Sequence, residues 1–315
     1  MNYDEILEKI KSVKHIVLIA HKNPDADSVG SASALYTLLM RLEKKVSLYC
    51  VTEKRNPHIE FIPWVDKIRT TFPNKAELAI SFDCGAKSRL GLDVAIELIN
   101  FDHHVSNDFY GMLNCIDVKA VSTTQVMYDF FNYHDIKINA KMATALYAGL
   151  IDDTNNFSNA NCNSNTFDMA RKLLMAQADK ALCIQHLFQT NSLASLRLKG
   201  LIFNTLELHH SARIILLKVT REMIESSGAL EVDCEAPLEE SLHLSSVEVA
   251  LLIRENRDGT IKGSLRSKSS SFNMNTIASN FGGGGHIKAS GFEVKDRTID
   301  DVCENMITIL KEEMK

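Results

Sequence analysis

The 315-residue sequence lacks both a long apolar run and a closely spaced cysteine pair. No segment approaches the ~18 apolar residues of a membrane span, and the first fourteen residues carry both charge signs in place of a signal peptide's apolar core. The seven cysteines form no CxxC motif, and an odd number cannot pair completely within one chain. These absences predict a cytoplasmic protein with no membrane partner.

The sequence also has little proline, little glycine and no strong charge. It contains 5 Pro and 14 Gly, 45% hydrophobic and 24% charged residues, and a net charge of −5. This composition excludes disordered, collagen-like and coiled-coil chains. A mildly acidic chain is also unsuited to binding long duplex nucleic acid by non-specific charge, because such binding needs many cations on one face. The length predicts about two domains of ~150 residues each.

Short apolar segments that stop at polar residues predict an α/β fold. The segments HIVLIA, SASALYTLLMRL and KVSLYCV predict a strand, a helix and a second strand, and AELAISFD and IELINFD predict two further buried strands. We therefore expect a mainly parallel sheet, which binds its ligands beyond the carboxyl ends of its strands.

The remaining segments define the expected domains. Helices are predicted over 121–133, 139–151, 163–176 and 192–208, and strands return over 213–220, 247–256, 260–268 and 291–294 before a last helix that begins near 298. We expect an N-terminal domain over 1–190, a linker helix over 191–212 and a smaller C-terminal α/β domain over 213–315.

Four clusters of acidic and histidine residues fall at the ends of predicted elements. Alone, a pair such as Asp25 and Asp27 is typical of a helix-capping loop. The other clusters favour a functional site, since adjacent imidazoles beside Asp102 are difficult to bury. Asp152 and Asp153 end a helix, where their charge opposes the helix dipole. The clusters are His21, Asp25 and Asp27; Asp83; Asp102, His103 and His104; and Asp152 and Asp153.

The chemistry of these clusters predicts a metal centre. Hard oxygen ligands outnumber imidazoles and no cysteine takes part, which favours six-coordinate Mn²⁺ or Mg²⁺ over a zinc finger. Seven ligands or near-ligands are too many for one ion, so we expect two divalent ions, Mn²⁺ first and Mg²⁺ as the alternative. Paired ions activate water and stabilise an in-line displacement at phosphorus, which predicts a phosphoester hydrolase.

The four segments HKNPDADSVGS, SFDCGAKSRLG, FDHHVSN and GLIDDTNNF resemble the metal motifs of the DHH phosphoesterases. The resemblance implies that Asp83 bridges two ions. It also implies that Asp102 orients His103 and that His104 contacts the scissile phosphate. One ion would be held by His21, Asp25 and Asp83, and the other by Asp27, Asp83, His103 and Asp153. The fourth motif has Asp152 and Asn155 where the family usually has Thr and Gly, so the choice of Asp153 over Asp152 as ligand stays open.

The segment LRSKSSSFNMNTIASNFGGGGHIKASG is similar to the substrate-binding end of the DHHA1 domain. Its glycine run can approach a ligand closely and offer successive N–H groups to an anion. Between residues 254 and 288 there are six Lys and Arg against two acids, a local charge of +4. The resemblance implies a substrate-binding role for Arg266, Asn275, Gly283, Gly284, Gly285, His286 and Lys288.

The resemblance extends to the standalone nanoRNases of this family. It implies hydrolysis of short oligoribonucleotides to 5′-mononucleotides and of 3′-phosphoadenosine 5′-phosphate to AMP, in a cleft between the two domains. Short RNA and small nucleotides are then the expected partners, and a homodimer is an open alternative. A linear or cyclic dinucleotide phosphodiesterase is the rival activity. A non-catalytic nucleotide sensor ranks lower, because this sequence contains every metal ligand of the family. A soluble inorganic pyrophosphatase also ranks low, because the second domain of those enzymes lacks the GGGGH segment.

Overall fold

The computed structural model describes residues 2–314, which form two compact units that divide between Thr190 and Asn191. Both units contain a sheet packed against helices, so the predicted α/β class is confirmed. No helix within residues 2–314 is long and apolar enough to cross a membrane. Six of the seven cysteines are buried, and Cys162 is partly exposed.

The first unit is built on a parallel six-stranded sheet in the order β3-β2-β1-β4-β5-β6. Its strands are β1 His15–Ala20, β2 Lys45–Tyr49, β3 Ile68–Arg69, β4 Leu78–Phe82, β5 Glu97–Asp102 and β6 Leu113–Ile116. In the central strand β1, Ile16 and Leu18 belong to the large helix-covered core, whereas Val17 and Ile19 pack in a smaller cluster on the other face. Burial on both faces explains the continuous apolar run of this strand.

The helices of the first unit are α1 Tyr3–Ser12, α2 Ala26–Arg41, α3 Thr123–Tyr133, α4 Ala140–Asp153, α5 Ser164–Met175 and α6 Lys180–Phe188. Helices α2 and α4 pack closely because a glycine on each faces the other helix. A Cβ atom at Gly30 would lie 2.4 Å from the carbonyl oxygen of Ala145, and one at Gly149 would lie 2.7 Å from the Cα atom of Asp27. This packing brings the carboxyl end of α4 to the amino end of α2.

The second unit has a mixed sheet in the order β11-β12-β10-β9-β8-β7, in which β8 and β9 are parallel and the other pairs antiparallel. Its strands are β7 Glu207–His209, β8 Ile214–Val219, β9 Val249–Glu255, β10 Ile261–Ser267, β11 Gly284–Gly285 and β12 Ala289–Val294. Its helices are α7 Leu193–Phe203, α8 Arg221–Ser227, α9 Glu235–Ser241, α10 Met274–Ser279 and α11 Ile299–Glu313. Helices α10 and α11 cover one face of the sheet, and α7, α8 and α9 cover the other.

The helix expected over 191–212 is shorter than predicted. Helix α7 ends at Phe203, and residues 207–209 form strand β7, which pairs with β8. The hydroxyl of Thr205 donates to the carbonyl of Lys218 and accepts from its N–H, so the turn after α7 is tied to β8. Leu198 and Ile202 of α7 pack in the core of the second unit, so this helix belongs to that unit.

Candidate metal centre

The acidic and histidine clusters meet at the carboxyl edge of the parallel sheet. His21 follows β1, Asp83 follows β4, and β5 ends at Asp102, directly before His103 and His104. Because these three strands are neighbours, their ends bring the side chains together. Three groups of ligand atoms result, each with its atoms within 4.8 Å of one another. The groups are His21, Asp25 and Asp83; Asp27, His103 and Asp153; and Asp83, His103 and His104.

Asp83 lies at the junction of these groups. Its Oδ2 atom is 3.3 Å from Nε2 of His21, and its Oδ1 atom is 3.5 Å from Nε2 of His103. The hydroxyl of Thr123 donates to Oδ1 at 3.0 Å. The backbone of Asp83 has φ +55°, a left-handed conformation that costs a non-glycine residue ~1–2 kcal/mol. The fold therefore holds this carboxylate in place at a cost in backbone strain.

Asp27 is fully buried and held by the amino end of α3. Its two carboxylate oxygens accept hydrogen bonds from the N–H groups of Thr123 and Thr124 at 2.6 and 2.8 Å. Burial and the nearby Asp153 carboxylate raise the pKa of Asp27 well above its usual range. Sequence reasoning missed both threonines, because they are nearly a hundred residues away along the chain and carry no ligand-type group.

Asp25 combines the two roles that the sequence left open. Its Oδ1 atom accepts from the N–H of Ser28, so it caps α2, while its Oδ2 atom lies 3.3 Å from Nε2 of His21. The Asp25 carboxylate thus caps the amino end of α2 with one oxygen and faces the candidate metal site with the other.

The carboxylates of Asp152 and Asp153 have different partners in the structure. Oδ2 of Asp153 lies 3.0 Å from Nε2 of His103, whereas Oδ2 of Asp152 accepts from the N–H of Ala26 at 3.0 Å. Burial and the neighbouring Asp25 carboxylate raise the pKa of Asp152 to about 7. The geometry thus favours Asp153 as the ligand. Asn155, where the family usually has glycine, adopts φ +46°, a left-handed conformation that asparagine tolerates better than most residues.

The expectation that Asp102 orients His103 is wrong. Oδ1 of Asp102 accepts from Nδ1 of His104 at 2.7 Å, and its Oδ2 accepts from the side-chain amide of Asn107. Nδ1 of His103 instead faces the carbonyl oxygen of Ala120 at 3.3 Å. Successive side chains of an extended segment point to opposite sides, so Asp102 reaches the residue two positions ahead. Asp102 therefore fixes the imidazole of His104 and leaves its Nε2 atom available.

The charges of the cluster fit a cation site. Burial lowers the pKa of His21, but hydrogen bonds to Asp25 and Asp83 outweigh burial and raise this pKa to about 10. In the same way, burial lowers the pKa of His103, but bonds to Asp153 and Asp83 raise it to about 11. The crowded carboxylates are thus compensated by protons on two imidazoles. Divalent cations can replace those protons, and a set of carboxylate oxygens with two imidazoles suits Mn²⁺ or Mg²⁺.

In the second unit, Asn275 and the glycine run lie together. The side-chain oxygen of Asn275 accepts from the N–H of Gly285 at 2.8 Å. A Cβ atom at Gly283 would lie 2.3 Å from the carbonyl oxygen of Gly291, so only glycine fits there. Gly284 and Gly285 form strand β11, and His286 and Lys288 are exposed just beyond it.

Arg266 does not present a free guanidinium. Its Nη2 atom lies 3.1 Å from Oε2 of Glu235, and its Nε atom lies 3.6 Å from Glu239. Lys262 lies 3.7 Å from Glu235, and Arg254 pairs with Glu231 at 3.0 Å. The positive charge of the basic segment 254–288 is thus partly neutralised by acidic residues that precede it in the chain. The substrate-binding roles of Arg266 and the glycine run stay predictions.

Comparison with known proteins places this geometry in a family. Residues 15–150 match the DHH family, N-terminal domain, and residues 235–315 match the DHHA1 domain. The bifunctional oligoribonuclease and PAP phosphatase NrnA of Thermus thermophilus is 29% identical over 315 residues, which cover 98% of this chain and 93% of that protein. The cyclic-di-AMP phosphodiesterase PdeA of Listeria monocytogenes is 27% identical over 96% of this chain and 48% of its own length.

A crystal structure of an exopolyphosphatase-related protein from Bacteroides fragilis has the same fold. The TM-score is 0.90 at 22% identity, with 98% of this chain and 96% of that chain covered. At this identity the likeness concerns the fold.

Proposed function

Since the chain belongs to the DHH/DHHA1 family of phosphoesterases, we propose that it hydrolyses short oligoribonucleotides to 5′-mononucleotides and 3′-phosphoadenosine 5′-phosphate to AMP. The observation that carries the proposal is the set of overlapping ligand groups around Asp83. The name of the Thermus thermophilus relative, which aligns with 98% of this chain, supports the substrate class.

Two divalent ions, Mn²⁺ by preference, would complete the site. The residues that would hold them are His21, Asp25 and Asp83 for one ion, and Asp27, Asp83, His103 and Asp153 for the other. When bound, such ions lower the pKa of water and neutralise charge on phosphate oxygens. Mg²⁺ is the alternative, because the oxygen-rich donor set accepts both ions.

His104 is the proposed contact to the scissile phosphate. The hydrogen bond from its Nδ1 to Asp102 fixes the ring and raises the pKa of His104, which favours the positively charged form. An imidazolium with a free Nε2–H can donate to a phosphate oxygen and stabilise charge that develops there. Hydrogen bonds from Thr123 and Thr124 hold Asp27, and one from the hydroxyl of Thr123 holds Asp83.

The part of the substrate away from the scissile bond would be bound by the second unit. Asn275, Gly283, Gly284, Gly285, His286 and Lys288 supply backbone N–H groups and exposed side chains for this purpose. Arg266 would contribute as well, by exchanging part of its ion pair with Glu235 and Glu239 for a substrate phosphate.

The deciding experiment compares kcat/KM on five substrates. They are RNA of two to four nucleotides, RNA 20-mers, 3′-phosphoadenosine 5′-phosphate, a cyclic dinucleotide and pyrophosphate, each with Mn²⁺ and with Mg²⁺. We expect the short RNAs and 3′-phosphoadenosine 5′-phosphate to react fastest, with Mn²⁺. The variant Asp83→Asn is the control for contaminating activity. A preference for the cyclic dinucleotide would replace the proposal by the rival activity, and rates that rise with RNA length would contradict it.

A further inference from the structure

Arg89 reaches the metal centre from the loop that follows Asp83. It lies in a short 3-10 helix, Lys87–Leu90, and its Nη2 atom is 3.1 Å from Nδ1 and 3.5 Å from Nε2 of His21. The carbonyl oxygen of Arg89 accepts from the N–H of Lys22 at 2.8 Å, and its own N–H donates to the carbonyl of Ala86. The loops after β1 and β4 are thus tied together, and they hold the guanidinium against His21.

This guanidinium is a cation without an acidic partner. Among residues 2–314, no carboxylate oxygen lies within 4.0 Å of the Arg89 nitrogens, although three carboxylates surround the adjacent His21 and His103 rings. Arg266 and Arg254 in the second unit, by contrast, pair with glutamates at 3.1 and 3.0 Å. Arg89 is exposed, so it is accessible to a ligand.

His21 cannot serve as the partner of Arg89 once it binds a cation. Its Nδ1 atom lies 2.9 Å from the carbonyl oxygen of Lys22, to which the neutral ring donates its one N–H. Its Nε2 atom faces Asp25 and Asp83 and is then the only lone pair left for a metal ion. A cation at Nε2 and the guanidinium would repel each other at this separation. An anion bound between them would relieve this repulsion.

We propose that Arg89 binds the substrate phosphate by donating to its non-bridging oxygens. The inference rests on the proposed function, because it takes that anion to be the phosphate hydrolysed at the centre. The planar guanidinium offers parallel donors that match two phosphate oxygens. Arg89 lies beside His21, whereas His104 belongs to the ligand group of Asp83 and His103. The phosphate is then contacted by one cationic side chain on each side of Asp83.

The test compares Arg89→Gln and Arg89→Lys with wild type in the presence of Mn²⁺. We expect Arg89→Gln to lower kcat/KM for 3′-phosphoadenosine 5′-phosphate about 30- to 100-fold, as for a lost charge-assisted contact, and Arg89→Lys to recover part of it. The inhibition constant of inorganic phosphate should rise about tenfold or more in Arg89→Gln, while the Mn²⁺ content stays at the wild-type level. Lys87→Gln is the matched control, because Lys87 lies in the same 3-10 helix but pairs with Asp93 at 2.7 Å.

Two outcomes would overturn the inference. If Arg89→Gln loses Mn²⁺ while its phosphate inhibition is unchanged, Arg89 only positions His21. If Arg89→Gln behaves like Lys87→Gln in both measurements, Arg89 does not bind the phosphate. Calorimetric titration of inorganic phosphate into the Mn²⁺-loaded protein keeps the test independent of turnover. A wild type that binds phosphate through Arg89 but cleaves no nucleotide would contradict the proposed function and leave this inference intact.

Discussion

At the residue scale, Asp83 belongs to two of the three ligand groups and has a left-handed backbone conformation. Asparagine is the better test of this side chain than alanine, because asparagine tolerates the left-handed φ of +55°. We expect Asp83→Asn to lower kcat/KM by a factor on the order of 10³ or more, since it removes an acceptor shared by two ligand groups. The melting temperature of the chelated protein should stay close to wild type. Activity within tenfold of wild type with unchanged metal content would contradict the two-ion centre.

Variants of the two adjacent histidines should differ in metal content and in rate. His103 lies 3.0 Å from Asp153 and 3.5 Å from Asp83, whereas His104 is hydrogen-bonded through Nδ1 to Asp102. We expect His103→Ala to lose bound metal, and His104→Ala to keep it and to lower kcat by about 10²-fold or more. Metal analysis of the purified variants distinguishes them. Asp102→Asn should resemble His104→Ala, and equal metal loss in both histidine variants would reverse the assignment.

The residues of the centre also show which parts of the site could be predicted from the sequence. The ligand-type residues could be found because strands end at them, and the ends of parallel strands must meet. The partner of Asp102 could have been predicted too, since residues two apart in an extended segment face the same side, but the family resemblance pointed to His103 instead. Thr123 and Arg89 could not be found in this way, because the fold alone brings a threonine hydroxyl and a guanidinium to the centre.

At the scale of elements, the packing of α2 against α4 controls the position of Asp27. A Cβ atom at Gly149 would lie 2.7 Å from the Oδ1 atom of Asp27 and 2.5 Å from the side chain of Thr124. We expect Gly149→Ala to destabilise the protein by ~1–3 kcal/mol and to lower its metal content, because it displaces the carboxylate. Denaturant unfolding and metal analysis check both effects.

The control for this variant is Gly200→Ala, in helix α7. No atom lies within 4 Å of a Cβ atom built at Gly200, so the substitution should be neutral or stabilise the protein by up to ~1 kcal/mol through helix propensity. If both alanine variants keep wild-type metal content, the contact between α4 and Asp27 does not position the ligand.

Helix α9 supplies acids that the charge count of the basic segment 254–288 does not include. The count of +4 over residues 254–288 considered only neighbours in sequence, whereas α9 places Glu235 and Glu239 beside Arg266. The seven-residue helices α8 and α9 are also too short to show a clear 3.6-residue period, so the sequence did not predict them. Long-range ion pairs of this kind are determined by the fold of the sheet and its helices.

This ion pair leads to a prediction for substrate affinity. Glu235→Gln removes the carboxylate that competes with a substrate phosphate for Arg266, so we expect the KM for short RNA to fall by about three- to tenfold. Glu240→Gln is the control, because Glu240 lies on the same helix but pairs with Lys199. A higher KM in Glu235→Gln alone would mean that Glu235 orients Arg266 and does not compete with the substrate.

At the scale of the whole molecule, the fold class could be predicted because continuous apolar strands alternate with helical segments. Strands β3, β6, β7 and β11 were not predicted, since elements of two to four residues contain no measurable period. Strand β7 was included in a predicted helix because Leu206 and Leu208 extend the apolar pattern of α7, although the helix ends at Phe203. Residues 207–209 form a strand because they pair with β8, and the local apolar pattern does not reveal this contact.

The stability of the whole protein should depend on pH in opposite ways with and without metal. In the metal-free protein, the pKa values of His21 and His103 are raised to about 10 and 11, above the ~6.5 of an unfolded histidine. Their protons therefore stabilise the fold fully below pH ~6.5, and this stabilisation is lost as the pH rises towards those values. The raised pKa of Asp152, about 7, acts in the same direction between pH ~4 and ~7, because its ionisation is less favourable in the folded state.

Metal binding reverses the sign, because the ions replace the protons on the two imidazoles and gain affinity as the pH rises. We expect the melting temperature of the chelated protein to fall between pH 6.5 and 8.5, and the increase on adding Mn²⁺ to grow over the same range, by about 5 °C or more. Differential scanning calorimetry with chelator and with Mn²⁺ at three pH values measures both trends. Asp83→Asn should show the smallest Mn²⁺ response at every pH. A Mn²⁺ response that shrinks as the pH rises would mean that the ions do not displace protons from His21 and His103, and the centre would then have to bind metal through other groups.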